Sequence, residues 1–169
     1  YREDIMILPC ALMTDEQGQL VPHVAIHQNG DSFHPIGGKV ADEPWLRQES
    51  LADAIKRELL EEAMDDEALA GQLASWTRLS SPSLAWYASP RGETVKGSLW
   101  SVVTDLPLSV RRKEADKHEH TSYVPIQEVF SDEQRWARPS LFRAARNEVH
   151  RALERCREGQ AEASWREAL

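Results

Sequence analysis

Glu49-Ser50-Leu51-Ala52-Asp53-Ala54-Ile55-Lys56-Arg57-Glu58-Leu59-Leu60-Glu61-Glu62-Ala63-Met64 repeats an apolar residue at every fourth position, at Leu51, Ile55, Leu59 and Ala63. That spacing predicts a helix over Ser50 to Met64. At 100° per residue, with Glu58 as zero, Glu61 falls at about −60° and Glu62 at about +40°. Three carboxylates therefore share an arc of about 100°, beside the apolar stripe and not opposite it. They belong at the edge of the buried face. Like charges this close repel, and helices usually offset them with neighbouring Lys or Arg. A hard divalent cation resolves the conflict directly. Mg²⁺ accepts carboxylate oxygens and keeps waters and substrate phosphates as its remaining ligands.

Taken alone, Glu-x-x-Glu-Glu reads equally well as a solvated acidic face. Two neighbours weigh against that. Gly37-Gly38 stands upstream at the end of a short apolar stretch around Phe33 and Ile36, where backbone must approach something closely or turn sharply. Glu49 precedes Arg57 by eight positions, so it can pair with Arg57 and orient the carboxylates from behind.

Gly38, Glu49 and Arg57-Glu58-Leu59-Leu60-Glu61-Glu62 resemble the signature of the Nudix hydrolases. In that family a Gly is followed by Glu and, seven residues later, by Arg-Glu-apolar-x-Glu-Glu-x-Gly-apolar. Ser50 to Lys56 supply those seven residues here. The resemblance implies an α/β fold, the Nudix-type α/β/α sandwich with a mixed β-sheet. It implies that Glu58, Glu61 and Glu62 bind the metal, with Mg²⁺ or Mn²⁺ as cofactor. Glu49 and Arg57 become the supporting pair, and Gly37 and Gly38 the backbone beside the substrate phosphate. The family often adds an acidic group from a loop before its late strand. Glu114, Asp116 and Glu119 are candidates, beside His118 and His120, and Glu119 is favoured because it lies four before Tyr123. A solvated charged loop is the plain alternative for each of them.

Two departures from the family pattern stand out. Ten residues, Lys39 to Gln48, separate Gly38 from Glu49 where the family has five. Met64 stands where the family has the Gly that ends the helix, so the helix either continues toward Asp65 or Glu67 or ends differently.

Outward from this stretch, Asp4 to Met13 and Val21 to His27 read as strands joined by the turn at Thr14 to Gly18, a hairpin. Trp76 to Leu79, Leu84 to Ala88, Ser98 to Leu106 and Thr121 to Ile126 are further strands, with a charged loop from Arg111 to His120. Ser140 to Glu158 reads as a closing helix with the stripe Phe142, Ala145, Val149, Ala152 and Cys156. His23, His27 and His34 have no spacing of a metal triad. Trp76, Trp86 and Trp100 read as core residues.

The length of 169 residues (19.2 kDa) fits a single domain, 1–169. Charged residues make up 28% and hydrophobic residues 41%, with mean hydropathy −0.56, which argues against disordered and membrane classes. A net charge of −8 argues against nucleic-acid or anionic-membrane partners, which need a basic face. It leaves room for a small anionic ligand met by a metal ion. Cys10 and Cys156 form no disulfide framework. No secretory leader is visible, the chain starts at Tyr1, and the cytoplasm is the default location.

The reading that follows is a metal-dependent pyrophosphohydrolase acting on a small nucleoside diphosphate linked to another moiety, in a family that often forms homodimers. One alternative is a catalytically silent Nudix-fold module that senses a nucleotide. Another, a prenyl-diphosphate isomerase, would need a catalytic Cys and a His-rich metal site.

Overall fold

β1 (Arg2–Thr14) is buried without a break from Asp4 to Leu12, so both of its faces are covered. It is the hub of a seven-stranded mixed sheet in a computed structural model that describes residues 2–40, 49–77, 82–104, 107–110 and 119–156. On one edge β1 pairs antiparallel with β2 (Leu20–Asn29) and with β4 (Ile36–Lys39). On the other it runs parallel to β6 (Thr94–Thr104), which pairs with the edge strand β5 (Ser83–Ala88). β2 also pairs with β3 (Ser32–His34) and with β7 (Glu119–Pro125).

Alternation along β1 divides the core in two. Ile5 and Ile7 face a layer with Ala25, Ile36, Ile55, Leu59 and Trp100, covered by α1 (Leu51–Glu62) and α2 (Glu67–Thr77). Met6, Leu8 and Cys10 face Val24, Ile26, Phe142 and Val149, covered by α4 (Phe142–Arg155) after the short α3 (Ile126–Val129). Helices on both faces of a mixed sheet make an α/β/α sandwich, as expected. Among the described residues no helix is long and apolar enough to cross a membrane.

Several expectations need correction. Trp76 lies in α2, not in a strand. The signal for α2 was present: Asp66 accepts from the backbone N–H of Leu69 at 3.0 Å as a helix cap, and Ala70, Leu73 and Ala74 then bury at helical spacing. Leu51 is exposed, and Ala54 takes its place in the buried stripe of α1. Trp86 is 56% exposed on the edge strand, whereas Trp100 is core. The closing helix starts at Phe142, because Pro139–Leu141 form a 3₁₀ turn, and Cys156 follows its last residue. Glu119 and His120 open β7 instead of closing a loop; Leu79, Leu106, Arg111 to His118 and Glu158 lie outside the described residues.

Candidate active site

Ser50 caps α1, its hydroxyl accepting from the Asp53 N–H at 3.1 Å. The helix does not run on to Asp65. The N–H groups of Ala63 and Met64 both donate to the Leu59 carbonyl, at 3.0 and 2.9 Å, and Met64 turns into the α1–α2 core. Burial of Met64 replaces the left-handed glycine as the device that stops the helix. The last two turns then carry all three glutamates.

Arg57 organises two of them. Its guanidinium donates to Glu58 Oε1 at 2.8 Å and to Glu61 Oε2 at 3.3 Å through Nη1. Its Nε and Nη2 hold the two oxygens of Glu49 at 2.6 and 2.8 Å, and Nη2 also reaches the Lys39 carbonyl at 2.9 Å. One cation thus ties the start of the helix, the end of β4 and two carboxylates together. These fork contacts to Glu49 raise the Arg57 pKa above its usual value, so the charge is permanent.

Glu58 is buried, at 4% exposure, against the backbone of β4. A Cβ built on Gly38 would lie 2.8 Å from Glu58 Oε2 and 2.9 Å from Oε1, so only a glycine there lets the carboxylate sit flat on the strand. Gly37 answers a different demand. Its φ is +150°, and a Cβ would fall 1.9 Å from the Ile5 carbonyl oxygen across the β1–β4 pair. Burial pushes the Glu58 carboxyl up to about 7; Arg57 opposes the shift, and Glu61 and Glu62 add to it.

Glu62 is held from another direction. Its Oε2 lies 3.4 Å from His27 Nε2, on β2, and His27 Nδ1 is hydrogen-bonded to Thr121 Oγ1, on β7. His27 is buried, at 6% exposure. No spacing along the chain marks it, because its contact with Glu62 depends on β2 passing under the end of α1. His34 on β3 and Thr121 on β7 are the cross-strand partners of His27, so the three line one row. In the next row Asn29 stands between Ser32 and Glu119, and Asn29 Nδ2 donates to Glu119 Oε1 at 3.4 Å. Glu119 therefore shares the sheet face of Thr121, two residues on.

The chain thus brings Glu49, Arg57, Glu58, Glu61 and Gly38 into one contact network, places Glu62 against His27, and sets Glu119 on the neighbouring strand face. Glu114, Asp116 and His118 lie outside the described residues. Among the described residues no three His, Cys, Asp or Glu side chains converge as a ready-made metal-ion group. Cys10 is sequestered on the α4 face, away from α1, and burial pushes its thiol up to about 12. That placement removes the basis for cysteine chemistry at this site.

No protein-family model matches the sequence, and neither does any curated protein. Solved structures do match. The Nudix domain of Shewanella oneidensis NrtR, in complex with ADP ribose, aligns with TM-score 0.51 at 12% identity over 87% of each chain. A C. elegans Ap4A hydrolase aligns with TM-score 0.54 at 12% identity, over 94% of this chain and 99% of that one. The E. coli dihydroneopterin triphosphate pyrophosphohydrolase aligns with TM-score 0.53 at 15% identity, over 89% and 96%. The chain has the Nudix fold, over nearly its whole length.

Proposed function

We propose that the chain is a divalent-cation-dependent pyrophosphohydrolase that cleaves a nucleoside diphosphate linked to another moiety. The observation that carries this reading is the carboxylate set of α1, with Glu58 pressed on the Gly38 backbone and Arg57 joining Glu49, Glu58 and Glu61. The donor chemistry suits Mg²⁺ or Mn²⁺: three carboxylates offer hard oxygens, and the Glu58 carboxyl, pushed up by burial and then by Glu61 and Glu62 against the pull of Arg57, is a group whose charged form a cation would favour. Glu58, Glu61 and Glu62 would hold the ion. Bound there, it would offset the charge of the diphosphate oxygens and of the departing group.

The chain's own residues supply the rest. Arg57, fixed by Glu49, keeps the Glu58 and Glu61 carboxylates in place. Gly37 and Gly38 would lie beside the substrate phosphate, the side-chain-free face of Gly38 being taken by the Glu58 carboxylate. Water attacks one phosphorus in line as the opposite P–O bond breaks, and its proton passes to a carboxylate, either half-exposed Glu61 or Glu119 on β7. The partner is a small molecule and not a nucleic acid, in keeping with the charge of −8. A homodimer and a cytoplasmic location complete the proposal.

Neighbours of this fold include a nucleotide-derivative complex and two hydrolases, so a sensor that binds without cleaving is the natural rival. Retention of Glu58, Glu61 and Glu62 favours cleavage. The test is incubation with nucleoside triphosphates, dinucleoside polyphosphates, ADP-ribose, nucleotide sugars and NADH, with Mg²⁺, with Mn²⁺ and with EDTA, followed by product mass. Metal-dependent appearance of a nucleoside monophosphate is expected. Saturable binding of one of these with no product under any condition would establish the sensor instead.

A further inference from the structure

The geometry points to His27 as the positioning residue for Glu62, a role complementary to that of Arg57 and one that the helix sequence does not contain. The inference rests on the carboxylate site proposed above and names what aligns its third member.

The two clamps divide the glutamates between them. Arg57 contacts Glu58 and Glu61, at 2.8 and 3.3 Å. Glu62 instead meets the His27 ring, Nε2 to Oε2 at 3.4 Å. A carboxylate only accepts hydrogen bonds, so the proton of the facing ring nitrogen belongs on Nε2. On the other side of the ring, Nδ1 and the Thr121 hydroxyl are hydrogen-bonded to each other. Thr121 is itself 7% exposed and fixed in β7 opposite His27. Both ring nitrogens are engaged, so the imidazole cannot turn freely, and the Glu62 carboxylate is aimed by a rigid sheet. An aligned carboxylate loses less conformational entropy on meeting an ion than a free glutamate does.

The shape of the sheet explains why His27 can do this. β1 pairs with β2 only up to Cys10↔Val24; beyond that point β2 continues with β3 and β7 as partners while β1 takes β4. Facing the same side, Ala25 joins the apolar layer under α1. His27, one pleat further, lies under the end of the helix, where apolar cover gives way to carboxylate. A polar side chain buried there needs polar partners on both sides, and Glu62 and Thr121 are those partners.

The experiment is Mn²⁺ titration of the purified chain by electron paramagnetic resonance, with no substrate present. His27→Ala should weaken Mn²⁺ binding about 10–100-fold, the usual cost of losing a ligand's orienting partner. His27→Gln, which carries an N–H on a side chain of similar reach, should restore binding to within about threefold of wild type, a rescue that a merely packed ring would not give. His27→Ala combined with Glu62→Gln should bind no more weakly than Glu62→Gln alone, since both act through one carboxylate. With ¹⁵N-histidine labelling, bound Mn²⁺ should show no direct ring-nitrogen coupling. Wild-type-like affinity in His27→Ala, full additivity with Glu62→Gln, failure of the Gln variant to rescue, or a coordinated ring nitrogen would each overturn the inference. If wild type binds no Mn²⁺, the carboxylate-site reading itself has failed, a result distinguishable from all of these.

Discussion

Arg57 grips Glu49 with a parallel fork, Nε to Oε1 at 2.6 Å and Nη2 to Oε2 at 2.8 Å, across eight positions of sequence. Two parallel charge-assisted bonds fix direction as well as distance. The long segment before Glu49 therefore does not carry it away from the helix. A further contact of Arg57, to the Lys39 carbonyl, ties the same side chain to the end of β4. Strand, incoming segment and carboxylate helix share one anchor.

That anchor predicts a coupled pair. Glu49→Ala and Arg57→Ala should each lower turnover about 10–100-fold, less than loss of a metal-binding carboxylate. The double variant should fall little below the worse single one, because both changes remove the same fork. Steady-state rates of the four proteins decide the matter. Additive losses would mean that Glu49 acts on its own.

Gly37 and Gly38, adjacent in sequence, should respond differently to alanine. Gly37→Ala places a methyl 1.9 Å from the Ile5 carbonyl oxygen at a φ of +150°, which backbone cannot relieve cheaply. Its cost should lie well above the ~1 kcal/mol of an ordinary substitution. In Gly38→Ala the atoms nearest the methyl belong to the Glu58 carboxylate, at 2.8 Å, and that end of the side chain can swing aside. Circular dichroism melts should show Gly37→Ala strongly destabilised and Gly38→Ala folded. Gly38→Ala should nevertheless bind Mn²⁺ more weakly, because Glu58 has been displaced.

Glu58 predicts a pH dependence in metal-free protein. Its folded pKa, pushed up by burial to about 7, exceeds the ordinary value of 4.5. The folded state therefore holds the proton more tightly than the unfolded chain. The stabilisation from protonated Glu58 is fully present below pH 4.5 and is lost as pH rises through about 7. Glu58→Gln removes that loss. Melting temperatures from pH 5 to 9 should show the variant gaining on wild type across this window. Saturating Mg²⁺ should narrow the gap, since it stabilises only the chain that keeps the carboxylate. Parallel profiles without metal would contradict the assignment.

The carboxylate helix was legible because its signals are local: a four-residue apolar repeat and a fixed interval between Glu49 and Arg57. β1 was legible for the same reason, as an apolar stretch from Ile5 to Met13 broken by Pro9 alone. The second helix was missed where Trp76 invited a strand reading; its evidence was an Asp66 cap and a modest stripe of Ala and Leu. His27 was out of reach because its partner lies 35 positions away on α1 and its other neighbour 94 positions away on β7. Nothing in the local pattern around Val24-Ala25-Ile26-His27 distinguishes a strand histidine facing solvent from one facing a glutamate. The exposed edge position of Trp86 was hidden likewise, since strand order is a property of the whole sheet and not of the segment.

Glu119 offers the last prediction. It opens β7, and alternation puts it on the face of Thr121 and Tyr123, the side covered by α1. Asn29 Nδ2 donates to its Oε1 at 3.4 Å, a contact that steadies the group. On the proposed reading the helix glutamates would approach the diphosphate from α1, and a carboxylate on the sheet side would meet it from the other flank. A group of that kind acts mainly as the water is deprotonated. Glu119→Gln should therefore lower turnover at least about tenfold while substrate affinity changes little, the pattern of an interaction made in the transition state. Asn29→Ala should cost less, since it loosens Glu119 but leaves the base. Glu114→Gln and Asp116→Asn, measured beside them, identify any competing acid in the segment before β7. If Glu119→Gln turns over like wild type and one of the other two does not, the proton acceptor belongs to that segment. If all three match wild type, Glu61 on α1 is left to take the proton, and the sheet contributes only through the His27 row.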